Sequence, residues 1–463
     1  MHDWFSTLDA ARRRDLILSL GIPIAIAAIA FLTAQATYPR LPVVQDAYCY
    51  NLSAQRLLVD GFFAHAVEPP GSDIEPNAVT TPAYQLMLAG VYAVTGSISP
   101  DAEASILAVM PAVRVLQFMM ALGIVVCIAA AGRLLGGWRF ALASGVLAAL
   151  YLPFAWSASV ALSEVVGALF LSLQLLLAVR LAGKSTQADA SLFAAFGLAS
   201  AVLALVRPVM ALWVVVPVVM IAIVRRREAG RVAKLLAIAL GAFLLLMGPW
   251  WIRNAVVLER FVPLSEGAGL PMVQAAGGMT MTVDEQALWS AERSQGRDGF
   301  LAVAKARLAA QWSEDPVKLV GARATRALVV AGQMWSAPMD VYWEKYHTPD
   351  GAGVGMSEFP VAPTPQLIAL SEFARYYHVA LLVSAVPGLV LVRRSPRMLL
   401  ALSLPLYSMV VHLPTLFINR YFFPVMPAVI LSAGAVIVVG SHALRGYVTR
   451  SRTDESVHSG ARG

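Results

Sequence analysis

Charged residues are scarce in this 463-residue sequence: Asp, Glu, Lys and Arg make up 14% of it, against 58% hydrophobic residues. A soluble domain carries about 25% charged residues. Because so few charges cannot cover the surface of such a chain in water, the composition excludes an ordinary soluble enzyme and indicates lipid as the solvent. The net charge of +7 then needs no nucleic-acid partner, since basic residues of membrane proteins usually mark the cytoplasmic side.

Cysteine and the common nucleotide and hydrolase motifs are also nearly absent. The two cysteines, Cys49 and Cys127, are predicted to lie in an outer loop and inside a spanning helix. Neither a structural disulfide nor a metal cluster is therefore expected of them. The sequence has no phosphate-cradling glycine loop and no serine nucleophile elbow, so a mechanism driven by a cytosolic nucleotide has no support.

Long apolar runs, in contrast, are abundant. The first one follows three arginines and ends without a small-residue cleavage pattern, so we interpret it as a retained helix and not as a signal peptide. Each run is long enough to cross about 30 Å of hydrocarbon at about 1.5 Å per residue. The runs are residues 16–34, 111–132, 139–158, 161–180, 190–206, 208–224, 234–250, 376–392, 398–417 and 421–440. The sequence predicts an all-α integral membrane protein with about ten transmembrane helices.

Lys and Arg are distributed unevenly around these runs. With the N-terminus inside, more than half of the 35 Lys and Arg residues fall in predicted cytoplasmic segments. This positive-inside pattern predicts a multi-pass protein of the plasma (inner) membrane with both termini cytoplasmic. Residues 1–440 form the predicted membrane domain, with large outer loops at about 36–102 and 251–375. Residues 441–463 are predicted to be a basic, disordered cytoplasmic tail.

The first outer loop has helical patterns of its own. From Ala47 onward, apolar residues recur on one helical face until Gly61, and a second apolar run covers residues 83–95. Both are too short to span comfortably, so we predict helices that lie along the bilayer surface. Residues 316–337 show a similar mixture of apolar and basic positions.

Charged residues at the outer ends of predicted spans need a reason, because a charge near the membrane core costs several kcal/mol. These residues are Arg114, Glu164, Arg207, Arg253 and Arg420. Asn254 and Tyr421, adjacent to the last two, are grouped with them as candidate substrate-binding residues. The arginines fit a pocket for an anionic head group, since guanidinium pairs with phosphate in a bidentate way. They also fit snorkelling interfacial anchors.

Asp46, at the start of the first predicted surface helix, fits two roles that do not exclude each other. It is a candidate general base for an incoming hydroxyl or amine, and it is a favourable helix N-cap. Asp73 and Glu75, in a Pro/Gly-rich stretch, fit either a divalent-metal site or a solvated loop. The cofactor requirement is therefore unknown at this point, with weak support for a metal.

Several short motifs follow one another in a fixed order. They are Asp46 after the first helix, then Thr-Pro-Ala-Tyr-Gln-Leu-Met at 81–87, Leu-Val-Arg-Pro at 205–208, Pro-Trp-Trp-Ile-Arg-Asn at 249–254 and Arg-Tyr-Phe-Phe-Pro at 420–424. This order resembles that of the polyprenyl-phosphate-sugar-dependent membrane glycosyltransferases of the GT-C fold. These include the dolichyl-phosphate-mannose–protein mannosyltransferases and the bacterial aminoarabinose lipid A transferases.

This resemblance implies that Asp46 is catalytic, that the sugar carbon is inverted, and that polyprenyl phosphate is the leaving group. The partners would be a polyprenyl-phosphate-linked sugar, the lipid bilayer and an acceptor that is a protein, a lipid or a glycan. Many members have Asp-Glu where this chain has Asp46-Ala47, so the second acid and any metal contact made by it are not carried over.

Two other functions fit a protein with many spans. A transporter or flippase of lipid-linked sugars predicts acidic groups at mid-membrane, for which Glu164 is the best candidate. A glycan polymerase or ligase can also have a large outer loop. If Glu164 and Arg207 lie at the depth of the membrane surface and face one cavity shared with Asp46, a glycosyltransferase is favoured.

Overall fold

The structure is a computed structural model, and it describes residues 10–37, 46–65, 68–99, 101–183, 187–294, 298–335, 364–392, 395–415 and 418–440. Every regular element in these ranges is helical. The predicted tail at 441–463 and part of the second outer loop, 336–363, lie outside the described residues.

We number the α-helices in chain order. They are α1 Ala10–Leu16, α2 Ile22–Thr37, α3 Asp46–Val59, α4 Ala83–Thr95, α5 Ala102–Ala149, α6 Leu152–Ser157, α7 Glu164–Leu181, α8 Asp189–Val206, α9 Val215–Val224, α10 Ala229–Val257, α11 Gly269–Ala275, α12 Val283–Ser294, α13 Gly299–Glu314, α14 Pro316–Ala331, α15 Pro365–Val392, α16 Pro396–Val411 and α17 Asn419–Gly440. A π-helical turn, Ile17–Gly21, joins α1 to α2, and a 3-10 helix, Pro208–Val214, leads into α9.

Six helical stretches of the described chain are long and apolar enough to cross a membrane. They are Arg13–Ala36, Ala102–Ala149, Glu164–Leu181, Asp189–Val206, Arg226–Val257 and Asn419–Gly440. Shorter apolar helices cover Ala83–Thr95, Pro208–Val224 and Pro396–Val411. All ten predicted apolar runs thus coincide with helical segments, which confirms a multi-pass helical protein. The number of about ten crossings stays a prediction.

The longest helix, α5, turns back on itself at Gly136 and Gly137. Gly137 has a left-handed φ of 78°, a conformation that favours glycine. A Cβ on Gly132 would lie 2.4 Å from the Ser144 Oγ. In a straight helix these two residues would be about 18 Å apart, so the two arms fold against each other.

Helix α7 lies at the centre of the bundle and α2 and α10 at its rim. Of the most apolar stretch of each span, 72% is buried for α7, but only 17% for the first span and 22% for α10. α8 packs closely against α10, since a Cβ on Gly197 would lie 2.0 Å from the carbonyl oxygen of Ala239. Such close approach of small residues is typical of helix pairs in membranes.

The first outer loop is held in shape by one buried arginine. Arg56 of α3 is fully buried; it pairs with Asp60 at 3.0 Å and donates to the carbonyl oxygen of Pro69 at 2.7 Å. Gly61, at φ 77°, then allows the turn out of α3. The predicted helices of this loop are confirmed as α3 and α4. Their position at the bilayer surface stays a prediction.

The second outer segment forms its own helical unit, α11 to α13, followed by α14. Arg307 of α13 pairs with Glu285 of α12 through two bonds of 2.7 and 2.8 Å. Thr282 and Glu285 form a capping box, in which each side chain accepts from the backbone N–H of the other. The helix predicted within 316–337 is confirmed as α14.

Candidate active site

The position of Arg207 follows from the proline after it. A residue before proline is pushed out of the helical conformation, and Arg207 (φ −137°, ψ 83°) ends α8. Its side chain crosses the first turn of α7 at Gly167, where a Cβ would lie 2.9 Å from the Arg207 Cγ. Because glycine has no side chain to block this path, the Arg207 Nη2 lies 2.5 Å from the Glu164 Oε1.

A second ion pair joins two residues that are far apart in the sequence. Arg420, in the first turn of α17, donates from Nη2 to the Oδ2 of Asp46, 374 residues away in sequence. The Arg420 Nε also lies 3.6 Å from the Glu164 Oε1. Asp46, Arg420, Glu164 and Arg207 thus form one continuous group, which we call the charged cluster.

Three helices begin at the charged cluster. α3 starts at Asp46, α7 at Glu164 and α17 at Asn419. The N-terminus of each helix carries partial positive charge, so carboxylates are favoured there and a further anion can be accommodated. The charges of the two arginines and the two carboxylates cancel. The partial charges of the three helix N-termini then make the electrostatic potential around the cluster positive.

Several polar atoms of the charged cluster are buried but have no hydrogen-bond partner among the described residues. They are the Arg207 Nε and Nη2, the Arg420 Nε and the Glu164 Oε2. The 2.5 and 3.6 Å contacts to Glu164 bring opposite charges together without hydrogen-bond geometry. A buried unpaired donor costs about 1–3 kcal/mol. The cluster therefore offers N–H groups to an anionic ligand.

The two carboxylates differ in access. The Asp46 side chain is 39% exposed, whereas that of Glu164 is 3% exposed. Partial burial on its own would raise the pKa of Asp46, but the charge of Arg420 and its hydrogen bond outweigh that effect and hold the pKa below its usual value. Asp46 is thus ionised at neutral pH and partly accessible from outside the protein.

His65 lies on the other side of Asp46. Burial lowers the pKa of His65, and the nearby Asp46 carboxylate only partly offsets this, so the ring is neutral near pH 7. Its ring centroid is 6.1 Å from that of Tyr50. The His65 Nδ1 is buried without a partner among the described residues.

A cavity of about 420 Å³ adjoins the charged cluster. Arg207, Tyr421 and Tyr50 are among its lining residues, and Tyr50 follows Asp46 by four positions on the same face of α3. The outer wall forms where Glu266 donates from its backbone N–H to the carbonyl oxygen of Ala78 at 2.8 Å. Gly267 allows this approach, because a Cβ there would lie 2.4 Å from the carbonyl oxygen of Val79.

Five of the eight predicted site residues meet here: Asp46, Glu164, Arg207, Arg420 and Tyr421. Tyr421 stacks on His412 at a centroid distance of 5.3 Å and lies beside both arginines.

The other three predicted site residues lie elsewhere. Arg114 donates to the carbonyl oxygen of Ser159 at 3.3 Å, in the turn before α7. Arg253 donates to the carbonyl oxygens of Asn77 and Phe63, and Asn254 donates to that of Val262 at 2.9 Å. Arg253 and Asn254 therefore fix the outer loops that enclose the cavity.

The donor set of the cluster does not fit a divalent metal. Asp46 and Glu164 each face an arginine, which already neutralises the carboxylate. Within the described ranges, no three His, Cys, Asp or Glu side chains gather as metal ligands would. Asp73 and Glu75 are exposed. No catalytic step is therefore assigned to a metal.

Sequence reasoning missed the cavity wall. Tyr50 and His412 line it and belong to no motif, whereas Tyr84 and Gln85 belong to the 81–87 stretch but were not singled out within it. For Tyr50 the available signal was spacing, since it is one helical turn from Asp46 and a predicted helix there places both side chains together.

No family model matches the chain, and no curated protein matches it. Solved structures do. The oligosaccharyltransferase AglB from Archaeoglobus fulgidus matches with a TM-score of 0.50 at 13% identity, over 92% of this chain and 52% of AglB, both in the apo form and in complex with an inhibitory peptide and a dolichol-phosphate. The chain has the GT-C fold. It spans about half the length of AglB.

A second GT-C structure, ArnT from Cupriavidus metallidurans bound to undecaprenyl phosphate, is also similar, with a TM-score of 0.41 at 15% identity over 90% of this chain and 77% of ArnT. At such identities the likeness concerns the fold. The likeness to AglB confirms the GT-C architecture expected from the order of the motifs.

Proposed function

We propose that this protein is a membrane glycosyltransferase that moves a sugar from a polyprenyl-phosphate donor to an acceptor on the non-cytoplasmic face. The observation that carries the proposal is the charged cluster, in which a partly exposed carboxylate, Asp46, lies beside two arginines with unpaired N–H groups, and one of these arginines, Arg207, lines the adjoining cavity. The GT-C fold, found in AglB in complex with dolichol-phosphate, supports a lipid-linked donor. The excess of Lys and Arg in the opposite loops supports the orientation.

Arg207 and Arg420 are assigned to the donor phosphate. Their unpaired N–H groups are buried, where a charge-assisted hydrogen bond is stronger than in water. Breaking the sugar–phosphate bond leaves the electron pair, and with it negative charge, on the phosphate oxygen. Guanidinium groups that are already fixed stabilise this charge without rearranging.

Glu164 is assigned a positioning role. It contacts both arginines through one oxygen, at 2.5 Å to Arg207 and 3.6 Å to Arg420, and its side chain is almost fully buried. A buried carboxylate between two guanidinium groups holds them together against their mutual repulsion. An acceptor from outside does not reach it.

Asp46 is assigned the role of general base. The acceptor oxygen forms its bond to the sugar carbon as the bond to phosphate breaks on the opposite face, and its proton passes to Asp46. This is the inverting reaction implied by the resemblance. A base with a low pKa is weak but always ionised at neutral pH, which suffices when the phosphate is a good leaving group.

A transporter of lipid-linked sugars is less well supported. Such a protein is expected to carry acids at mid-membrane. Here Glu164 is paired with Arg207 and belongs with Asp46 to the charged cluster, and Arg207 lines the adjoining cavity. An acid that holds two arginines beside the candidate base supports a glycosyltransferase.

The test is the Asp46→Asn variant of the purified protein in nanodiscs, assayed with labelled polyprenyl-phosphate sugar and host membranes as the source of acceptor. Asn keeps the capping ability of Asp but cannot accept the proton. We expect transfer to fall by about 10²- to 10⁴-fold, with binding of undecaprenyl phosphate retained.

The matched control is Asp73→Asn, the same change at an exposed loop position, which should leave transfer unchanged. Full activity of Asp46→Asn would show that Asp46 is not the base. No binding of undecaprenyl phosphate to the native protein would show that the donor is wrongly assigned.

A further inference from the structure

The cavity beside Arg207 has a lining suited to a sugar. Its polar side chains are mostly uncharged, and they include Thr80, Thr81, Gln85, Ser163, Ser265 and Thr415. Hydroxyl and amide groups both donate and accept, so they can pair with sugar hydroxyls in either direction. Tyr50, Tyr84 and Tyr421 add aromatic surface. Pockets of this mixed kind, mainly apolar with a few placed polar groups, are typical ligand sites.

Gln85 gives an independent sign that a ligand belongs there. Its side chain is 1% exposed, and its Nε2 donates to the Thr80 Oγ1 at 2.8 Å. The Oε1 is buried and has no partner among the described residues. If the amide is turned round, the other atom is left unpaired instead, so the conclusion does not depend on that assignment. A sugar hydroxyl in the cavity would satisfy it.

The charges around the cavity restrict the sugar. Arg207 lines it, and no Asp or Glu is among its lining residues. An amino sugar would place its ammonium beside the Arg207 guanidinium in a cavity that no carboxylate lines, and the nearby carboxylates of Glu164 and Asp46 are already paired with Arg207 and Arg420. This arrangement is strongly unfavourable in a buried site. A sugar acid would find Arg207 engaged by Glu164 and by the donor phosphate.

The cavity has room for a sugar ring. Its volume is about 420 Å³, whereas one water molecule takes up ~30 Å³ in the liquid. Because Arg207 and Tyr50 both line it, the cavity extends from the assigned phosphate position to the helix face that carries Asp46. The reacting sugar carbon has to lie between these two groups.

From these observations we infer that the cavity is the sugar subsite of the donor and takes an uncharged sugar, with the Gln85 amide forming a hydrogen bond to a sugar hydroxyl. This inference rests on the proposed function, since it takes the donor phosphate to be at Arg207 and Arg420.

The experiment measures binding of four lipids to the full-length protein in nanodiscs. They are undecaprenyl phosphate alone and the same lipid carrying glucose, 4-amino-4-deoxyarabinose or glucuronate. We expect the glucose lipid to bind about tenfold more tightly than the bare lipid, and both charged-sugar lipids to bind at least about tenfold more weakly than the glucose lipid.

The Gln85→Met variant keeps the side-chain length and removes the polar group. It should bind bare undecaprenyl phosphate like the native protein and lose the roughly tenfold advantage of the glucose lipid. Without ligand it should be at least as heat-stable as the native protein, because a buried unpaired amide is removed.

Gln174→Met is the matched control. Gln174 is also buried, also donates to a hydroxyl at 2.8 Å (the Ser200 Oγ) and also has an unpaired Oε1, but it does not line the cavity. This variant should keep the advantage of the glucose lipid.

The outcomes separate the two proposals. If bare undecaprenyl phosphate does not bind, the assigned donor is wrong and the sugar subsite with it. If it binds but glucose adds no affinity, or the amino sugar binds as tightly as glucose, only the sugar subsite is wrong. An unchanged glucose advantage in Gln85→Met would likewise overturn the role of Gln85.

Discussion

Two arginine–glutamate pairs in this molecule look alike in sequence and differ in what they leave unpaired. In the second outer segment, the Arg307 Nε and Nη2 donate to the two oxygens of Glu285. Its Nη1 donates to the carbonyl oxygen of Gly278 and its Nη2 also to that of Thr280. Every nitrogen of this guanidinium has an acceptor, so the pair is complete without a ligand.

The pair of Arg207 and Glu164 is incomplete. Two Arg207 nitrogens and one Glu164 oxygen are buried without a hydrogen-bond partner among the described residues. The difference teaches that an ion pair by itself does not mark a site. A structural pair satisfies all its donors within the protein, and a binding pair keeps some for its substrate, at a cost in stability.

The largest expected effect comes from removing the incomplete pair. Arg207→Met should weaken binding of undecaprenyl phosphate by about 10- to 150-fold, because charge-assisted bonds to the phosphate are lost. Thermal stability should fall as well, because Glu164 stays buried and keeps Arg420 as its remaining partner. Isothermal titration and a thermal scan on the same sample measure both. Native-like lipid affinity would show that Arg207 is a membrane anchor.

Removing the complete pair should lower local stability and leave the affinity for lipid almost unchanged. Arg307→Met should lower the local stability of α12 and α13 by about 1–2 kcal/mol, a value reduced by the partial exposure of the pair. Affinity for undecaprenyl phosphate should stay within about twofold. Hydrogen exchange of the α12 amides reports the first quantity, and loss of lipid binding would contradict the distinction between the two pairs.

The smallest expected effect is a pH dependence confined to the complete pair. The hydrogen bond from Arg307, followed by that from the Thr282 backbone, lowers the pKa of Glu285 to about 2. Its contribution to stability is therefore fully present above the ordinary Glu pKa of about 4.3 and is lost as the pH falls toward 2.

Protection of the α12 amides against exchange, corrected for the intrinsic rate at each pH, measures this loss. Glu285→Gln should abolish the dependence below pH 4.3. If protection in the native protein already fell between pH 7 and pH 5, a different group would be responsible.

Features that depend on one segment of the chain could be predicted from the sequence, whereas contacts between distant segments could not. Hydropathy runs predicted the helices because spanning is a property of each segment alone. The positive-inside bias predicted that five charged residues lie on the same side of the membrane. Three of them, Glu164, Arg207 and Arg420, contact one another in the structure.

Partners could not be predicted in the same way. Arg253, like Arg207, was predicted to lie at the outer end of a span. In the structure its guanidinium donates to carbonyl oxygens of a loop. The open acceptor of Gln85 appears only when every neighbour is in place. Residues alike in type and depth are thus told apart by hydrogen bonds that only the folded chain has.

The 374 residues between Asp46 and Arg420 have a consequence for how the protein is made. At a synthesis rate of about 5–20 residues per second, roughly 20 to 75 seconds pass between the two residues. During that time the helices before α17 enter the bilayer while Asp46 lacks its arginine. In a nascent chain the charged cluster is therefore complete only after α17 has been inserted.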